Sequence, residues 1–232
     1  DGVAPFFLLL DEMNLAHVEH YFADFLSVLE SGRRENGFTV EEIRLHAFDT
    51  PVTDGEGGTI PPALALPPNL YIIGTVNVDE TTHAFSPKVL DRAFTIEFEG
   101  ADLAAYPPNQ VGASLTLPDE RRSALLAAFT REGRFVQNAK APDITGAPAR
   151  DSSFMAQLRD LEQLLRPYEL HFAYRVVDDI LAYLANAEAY RWFDGLGGLD
   201  AAFDSAVLMK VLPKFHGSRS RLQEPLHRIL EW

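Results

Sequence analysis

Cysteine is absent from all 232 residues, which excludes disulfides, zinc-thiolate sites and thiol nucleophiles and fits a reducing compartment. Long apolar runs are absent as well. None approaches the roughly 18 residues that a spanning helix needs, so no membrane contact is expected and the cytoplasm is the expected location. Positive charge is scarce: 20 Lys and Arg stand against 34 Asp and Glu, for a net charge of −14. Non-specific nucleic-acid binding rests on Lys and Arg contacts to phosphates, so any such contact must be local or lie in other domains. No G-x-S-x-G elbow occurs, which removes serine hydrolase chemistry, and no G-x-x-x-x-G-K-[ST] phosphate loop occurs either. Asp1 is not an initiator Met, and no basic signal-peptide region precedes the first apolar run. The chain therefore reads as a piece of a longer protein.

What is present is an ordinary globular composition, 47% apolar and 23% charged. FFLLL, residues 6–10, is a short aromatic-rich apolar run that predicts a strand covered on both faces, as in a parallel sheet. Asn14 is then expected to cap a helix with apolar positions Val18, Tyr21, Phe22, Phe25, Leu26 and Leu29, stopped by Gly32. Residues 33–69, with TDGEGGT and two double prolines, predict a hairpin or extended insert. NLYIIGTVN, residues 69–77, predicts a second buried strand. SPKVLDRAF predicts a short helix capped by Ser86, and TIEFEG, ending at Gly100, a third strand. Beyond Gly100 helical periodicity takes over, in segments near residues 118–131, 152–167, 173–193, 199–215 and 220–232. The expected fold is α/β over residues 1–100, followed by a helical unit over 101–232.

Ligands of parallel sheets bind outside the carboxyl ends of the strands. FFLLL ends in Asp11 and Glu12, and the second strand ends at Asn77. An apolar strand followed by Asp-Glu has the form of a Walker B element, in which Asp helps hold Mg²⁺ through water and Glu polarises the attacking water. Taken alone, the pair is equally a strand that exits into polar residues. Asn77 could orient a water or touch a terminal phosphate, and Arg92, one short helix later, could reach a phosphate held by a neighbouring subunit.

Together, LLLDEMNLAHVEHYFADFLSVLESG and NLYIIGTVNVDETTHAFSPKVLDRAFTIEF resemble the second half of an AAA+ P-loop NTPase core, most of all its McrB-like branch, over about residues 4–100. The helical remainder resembles the lid in outline. The resemblance implies that Asp11 and Glu12 are the Walker B residues, Asn77 is sensor one and Arg92 is the arginine finger. It implies a parent that hydrolyses ATP or GTP with Mg²⁺ in a homo-oligomeric ring, a hexamer, driving remodelling or translocation on DNA in a restriction system with a nuclease subunit. NVDET, residues 77–81, lacks the Arg that McrB carries at its sensor segment, so the base and the nuclease partner stay open. The phosphate loop of this superfamily precedes Walker B, so this piece alone is expected to bind nucleotide poorly.

Arg175, at the start of a helix in ELHFAYRVVDDIL, resembles sensor two of such lids. The plainer reading pairs it with Asp178 or Asp179 on a solvated face. KVLPKFHGSRSRL, residues 210–222, gathers basic charge beside Phe215 and His216. It reads as a solvated turn in preference to a base-stacking patch. His17, His20 and Asp24 share a helical face that could bind a metal, but ordinary surface histidines explain them. Two alternatives remain: a non-catalytic ring-assembly scaffold, and a two-metal nuclease using Asp11, Glu12, Asp79 and Glu80. The nuclease leaves Arg92 and the helical half unexplained.

Overall fold

The computed structural model describes residues 4–77, 83, 85–98, 117–130, 135 and 153–232. FFLLL forms β1 (Phe6–Leu10). A 3-10 turn (Met13–Leu15) leads into α1 (Val18–Tyr21) and α2 (Ala23–Glu30). One helix was expected over this stretch; the structure divides it at Phe22, which serves as C-cap of α1 and N-cap of α2. Nor does Asn14 cap it. His17 occupies the N-cap position without a side-chain cap bond, and Asn14 is buried in the 3-10 turn.

Gly32, with φ +85°, takes the left-handed conformation that ends α2. The insert that follows is two nested hairpins. β2 (Glu42–Arg44) pairs antiparallel with β5 (Ala63–Ala65), and inside them β3 (Val52–Thr53) pairs with β4 (Thr59–Ile60). At the tip, Asp54 Oδ1 accepts the amides of Glu56 at 2.9 Å and Gly58 at 2.6 Å. Within GEGGT the amides of Glu56, Gly57 and Gly58 are thus spent on their own turn.

The chain returns through β6 (Leu70–Gly74), which lies parallel to β1 with Phe6 opposite Leu70 and Leu10 opposite Gly74. The register brings the carboxyl ends of both strands to one place. Among the described residues this sheet has two strands. Beneath it Leu10, Met13, Phe25, Leu26, Ile72 and Phe85 pack on Val18, Phe22 and Val89. On its other face Phe7 stacks on Tyr71 at 5.4 Å and meets the edge of Phe129 at 5.3 Å. The expected double cover is incomplete, since Phe6, Leu9 and Ile73 are 67%, 61% and 48% exposed.

α3 (Pro87–Leu90) starts with Pro87 in its first turn, as the missing N–H of proline allows. Within TIEFEG, residues 95–98 form no strand; Thr95 instead donates its amide to the Met209 carbonyl at 3.1 Å, so this segment is tied to the helical half. The helical part contains α4 (Asp119–Thr130), α5 (Ser153–Leu165), α6 (Tyr174–Ala189), α7 (Gly198–Lys210) and α8 (Arg219–Glu231). Its core takes Leu158, Leu161 and Leu165 from α5, Val176, Ile180 and Leu184 from α6, and Phe203, Ala206 and Val207 from α7. These are helical spacings of three and four, and burying each large side chain contributes about 1.5–3 kcal/mol. No described helix is long and apolar enough to cross a membrane.

Candidate functional site

The structure sorts the five sequence-derived candidates into two groups. Asp11 and Glu12 stand at the carboxyl end of β1 beside that of β6, whereas Asn77, expected to end the second strand, lies three residues beyond Gly74, where β6 stops. Arg92 and Arg175 meet elsewhere, at the last residue of α2.

In the first group, Asp11 and Glu12 follow Leu10 directly and both are exposed. Thr75, the first residue after β6, joins them. Its hydroxyl donates to Asp11 Oδ1 at 2.5 Å and accepts the Glu12 amide at 2.9 Å. Its own amide donates to the Leu10 carbonyl, and its carbonyl accepts the Met13 amide, both at 2.9 Å. Four bonds thus lock the two chain segments across the strand ends. Glu12 sits at φ 49°, ψ 44°. A non-glycine residue in the left-handed region costs energy, and such outliers concentrate at functional sites.

Asn77 is held by the neighbouring segment. Asn14 is 4% exposed, and its side-chain amide donates to the Asn77 carbonyl at 2.8 Å, while the Asn14 carbonyl accepts the His83 amide at 3.0 Å. Asn14 therefore straps the segment after β6 onto the segment after β1. Tyr21 adds a hydroxyl bond to the Met13 carbonyl at 2.7 Å, and burial raises the pKa of that phenol. Neither Thr75 nor Asn14 was singled out as a site residue from sequence. Thr75 had a signal, being the first polar residue after the apolar strand; Asn14 resembled an ordinary helix cap.

The oxygen-rich donor set of Asp11, Glu12 and Thr75 suits a hard cation such as Mg²⁺. Asp79 and Glu80, the further acids that a two-metal nuclease would need, lie outside the described residues. His17 lies against His83 in a tilted arrangement with ring centroids 3.9 Å apart and 5.0 Å from the His20 ring. Even so, no group of three or more His, Asp or Glu among the described residues is arranged to hold a metal.

The second group centres on Glu30. Its Oε1 accepts an ion pair from Arg175 at 2.5 Å and another from Arg92. Arg92 also donates to the Lys88 carbonyl. The Arg92 hydrogen bond is the largest influence on the Glu30 carboxyl and, with Arg175, holds its pKa below the ordinary value although partial burial works the other way. Arg175 does not pair with Asp178 or Asp179 in the structure. Asp179 belongs to Lys210, whose Nζ lies 2.7 Å from Asp179 Oδ2 and donates to the carbonyls of Asp91 at 2.9 Å and Ala93 at 3.0 Å. Lys214 pairs with Asp91.

The basic stretch 210–222 is thus no uniformly solvated turn. Lys210 and Lys214 are buried; Lys210 clamps the backbone on both sides of Arg92 and Lys214 holds the Asp91 carboxylate, while Phe215 packs on the helical core. Desolvation lowers the Lys210 pKa, with Asp179 acting in the opposite direction. Glu30 and Lys210 carry no sequence signal of this role, because each depends on contacts more than 60 residues away in the chain.

A family model described as a domain of unknown function (DUF8727) matches residues 126–232, a span that includes α5 to α8, Arg175 and Lys210. No curated protein and no solved structure matches the chain.

Proposed function

We propose that this chain carries the metal-and-water half of a nucleoside-triphosphatase core, of the AAA+ type and McrB-like branch, together with its helical lid. The observation that carries the reading is the placement of Asp11 and Glu12 at the adjoining carboxyl ends of two parallel strands, fixed by Thr75, with the segment that bears Asn77 tied to the same turn through Asn14. In α/β sheets this is where ligands bind. The parent protein would contribute the phosphate loop, whose amides and Lys this chain lacks.

Asp11, oriented by the Thr75 hydroxyl, would hold Mg²⁺, usually through water; the cation supplies neutralisation of charge on the phosphate oxygens. Glu12 would polarise the attacking water, and Asn77 would orient it or touch the terminal phosphate. The segments that carry these groups are pinned by backbone bonds, so little reorganisation accompanies the reaction. Arg92 would serve the site of an adjacent subunit. Its partner in this chain supports this, because among the described residues Arg92 is paired with Glu30 at the C-terminal end of α2 and not with Asp11 or Glu12. A hexameric ring acting on DNA, with a nuclease subunit as a further partner, is the assembly that the sequence resemblance suggests.

The test is Glu12→Gln in the complete protein, with ATP and GTP each assayed in the presence of Mg²⁺. Binding should persist while turnover falls about a hundredfold or more, the scale lost with one preorganised catalytic group. Unchanged turnover of both nucleotides removes Glu12 from the reaction. A scaffold reading is favoured by one observation, the missing phosphate loop, and it requires that the complete protein bind neither nucleotide.

A further inference from the structure

Glu30 is one carboxylate facing two guanidiniums, and both engage the same oxygen, Oε1. The other acids at this junction are already taken: Asp179 by Lys210 and Asp91 by Lys214. Among the described residues the ion pairs at this junction thus join four cations to three carboxylates, in a chain whose net charge is −14. Arg92 is also incompletely used. Its Nε is buried and has no hydrogen-bond partner among the described residues, although a buried donor left unpaired is costly.

A single carboxylate leaves this arrangement unsatisfied, whereas a phosphoryl group would complete it. It offers three oxygens and close to two negative charges, enough for a two-pronged bond from Arg92 and a further one from Arg175. Glu30 is also placed to leave. Its side chain is 36% exposed and closes the C-terminal end of α2, so it can turn to water without disturbing the core. Ion pairs with this much exposure are worth little individually, so little opposes their exchange for a doubly charged anion.

We propose that Glu30 is a resident counter-ion that keeps Arg92 and Arg175 together and is displaced when a phosphoryl oxyanion enters between them. The pair is then an anion site held closed by the chain's own carboxylate. This inference rests on the reading above only for the source of the oxyanion, a nucleotide; the displacement itself requires no hydrolysis. A closed state also keeps a guanidinium destined for a neighbouring subunit occupied until its ligand arrives.

The measurement is binding of inorganic tripolyphosphate, and separately of ATP and GTP, to the intact protein by titration calorimetry. If Glu30 closes the site in about nine molecules of ten, Glu30→Gln should tighten tripolyphosphate binding about tenfold. The gain should vanish in Glu30→Gln combined with Arg92→Ala. Equal affinity of the wild type and Glu30→Gln overturns the proposal, as does a gain that survives loss of Arg92. Tighter tripolyphosphate binding without any nucleotide binding upholds the counter-ion and removes the nucleotide reading. A second measurement avoids substitution: tripolyphosphate should slow phenylglyoxal modification of Arg175 and Arg92 in the wild type, read by peptide mass spectrometry. An unchanged rate at both residues overturns the proposal.

Discussion

Replacing Lys210 by Met is the most direct perturbation of the contact between the two halves of the chain. The Lys210 side chain is fully buried, donates to the Asp91 and Ala93 carbonyls at 2.9 and 3.0 Å, pairs with Asp179 at 2.7 Å, and lies 4.9 Å from the Phe94 ring. Met keeps the length of the apolar stem and deletes the ammonium. Each part-buried carbonyl left without a donor costs toward the lower end of the about 1–3 kcal/mol of a buried one. Asp179 loses its partner, but its side chain is 34% exposed and water can take over, so that part is discounted well below the cost of breaking a fully buried pair. Two effects act the other way: the desolvation of the ammonium disappears, and the thioether gains about 0.3–1.5 kcal/mol against the aromatic ring. The net expectation is a loss of about 2–3 kcal/mol, seen in urea as a midpoint lowered by about 1 M. Adding Asp179→Leu converts the pair to apolar contacts and should return part of the loss, because apolar pairs of similar volume often match buried ion pairs. A loss below about 0.5 kcal/mol would refute the argument, since the carbonyl bonds would then be worth no more than the desolvation they require.

Thr75→Val should cost about 1 kcal/mol of stability yet lower Mg²⁺-dependent turnover of the complete protein about tenfold or more, with Thr75→Ser near wild type; equal turnover in all three would separate Thr75 from the acids it bonds. Leu161→Ala, at a side chain with no exposure, should cost about 2–5 kcal/mol in urea unfolding, and a cost under about 1 kcal/mol would mean that the helical core lies elsewhere. The Glu30 carboxyl is held below its ordinary value of 4.5 chiefly by Arg92. Its contribution to stability is therefore present above pH 4.5 and lost as pH falls through the lower folded value. Urea midpoints followed from pH 6 to pH 3 should fall less steeply in Glu30→Gln than in the wild type, and parallel profiles would contradict the assignment.

The elements that were legible in the sequence are those whose cause is local. The periodicity of residues 152–167 and 173–193 marks α5 and α6 because each helix buries its own stripe, and proline and glycine punctuation marks the insert because turns impose their φ on single residues. Reading failed where a residue's partner is distant. Asn14 has the chemistry of a cap, but the carbonyl of Asn77 offers its amide a buried bond that a solvated helix end cannot match. Thr95 has the alternation of a strand, but Met209 takes its amide. The same distinction applies to the site. Asp11 and Glu12 were legible as two acids at a strand end because an apolar run followed by Asp-Glu is a local pattern. The grouping of Arg92 with Arg175 was not, because Glu30 brings them together and its partners lie 62 and 145 positions further along the chain. An ion-paired carboxylate of that kind is set by the packing of α2 against the segment that follows α3 and the start of α6. A substitution that loosens that packing should therefore release Arg92 without touching any acid at the strand ends.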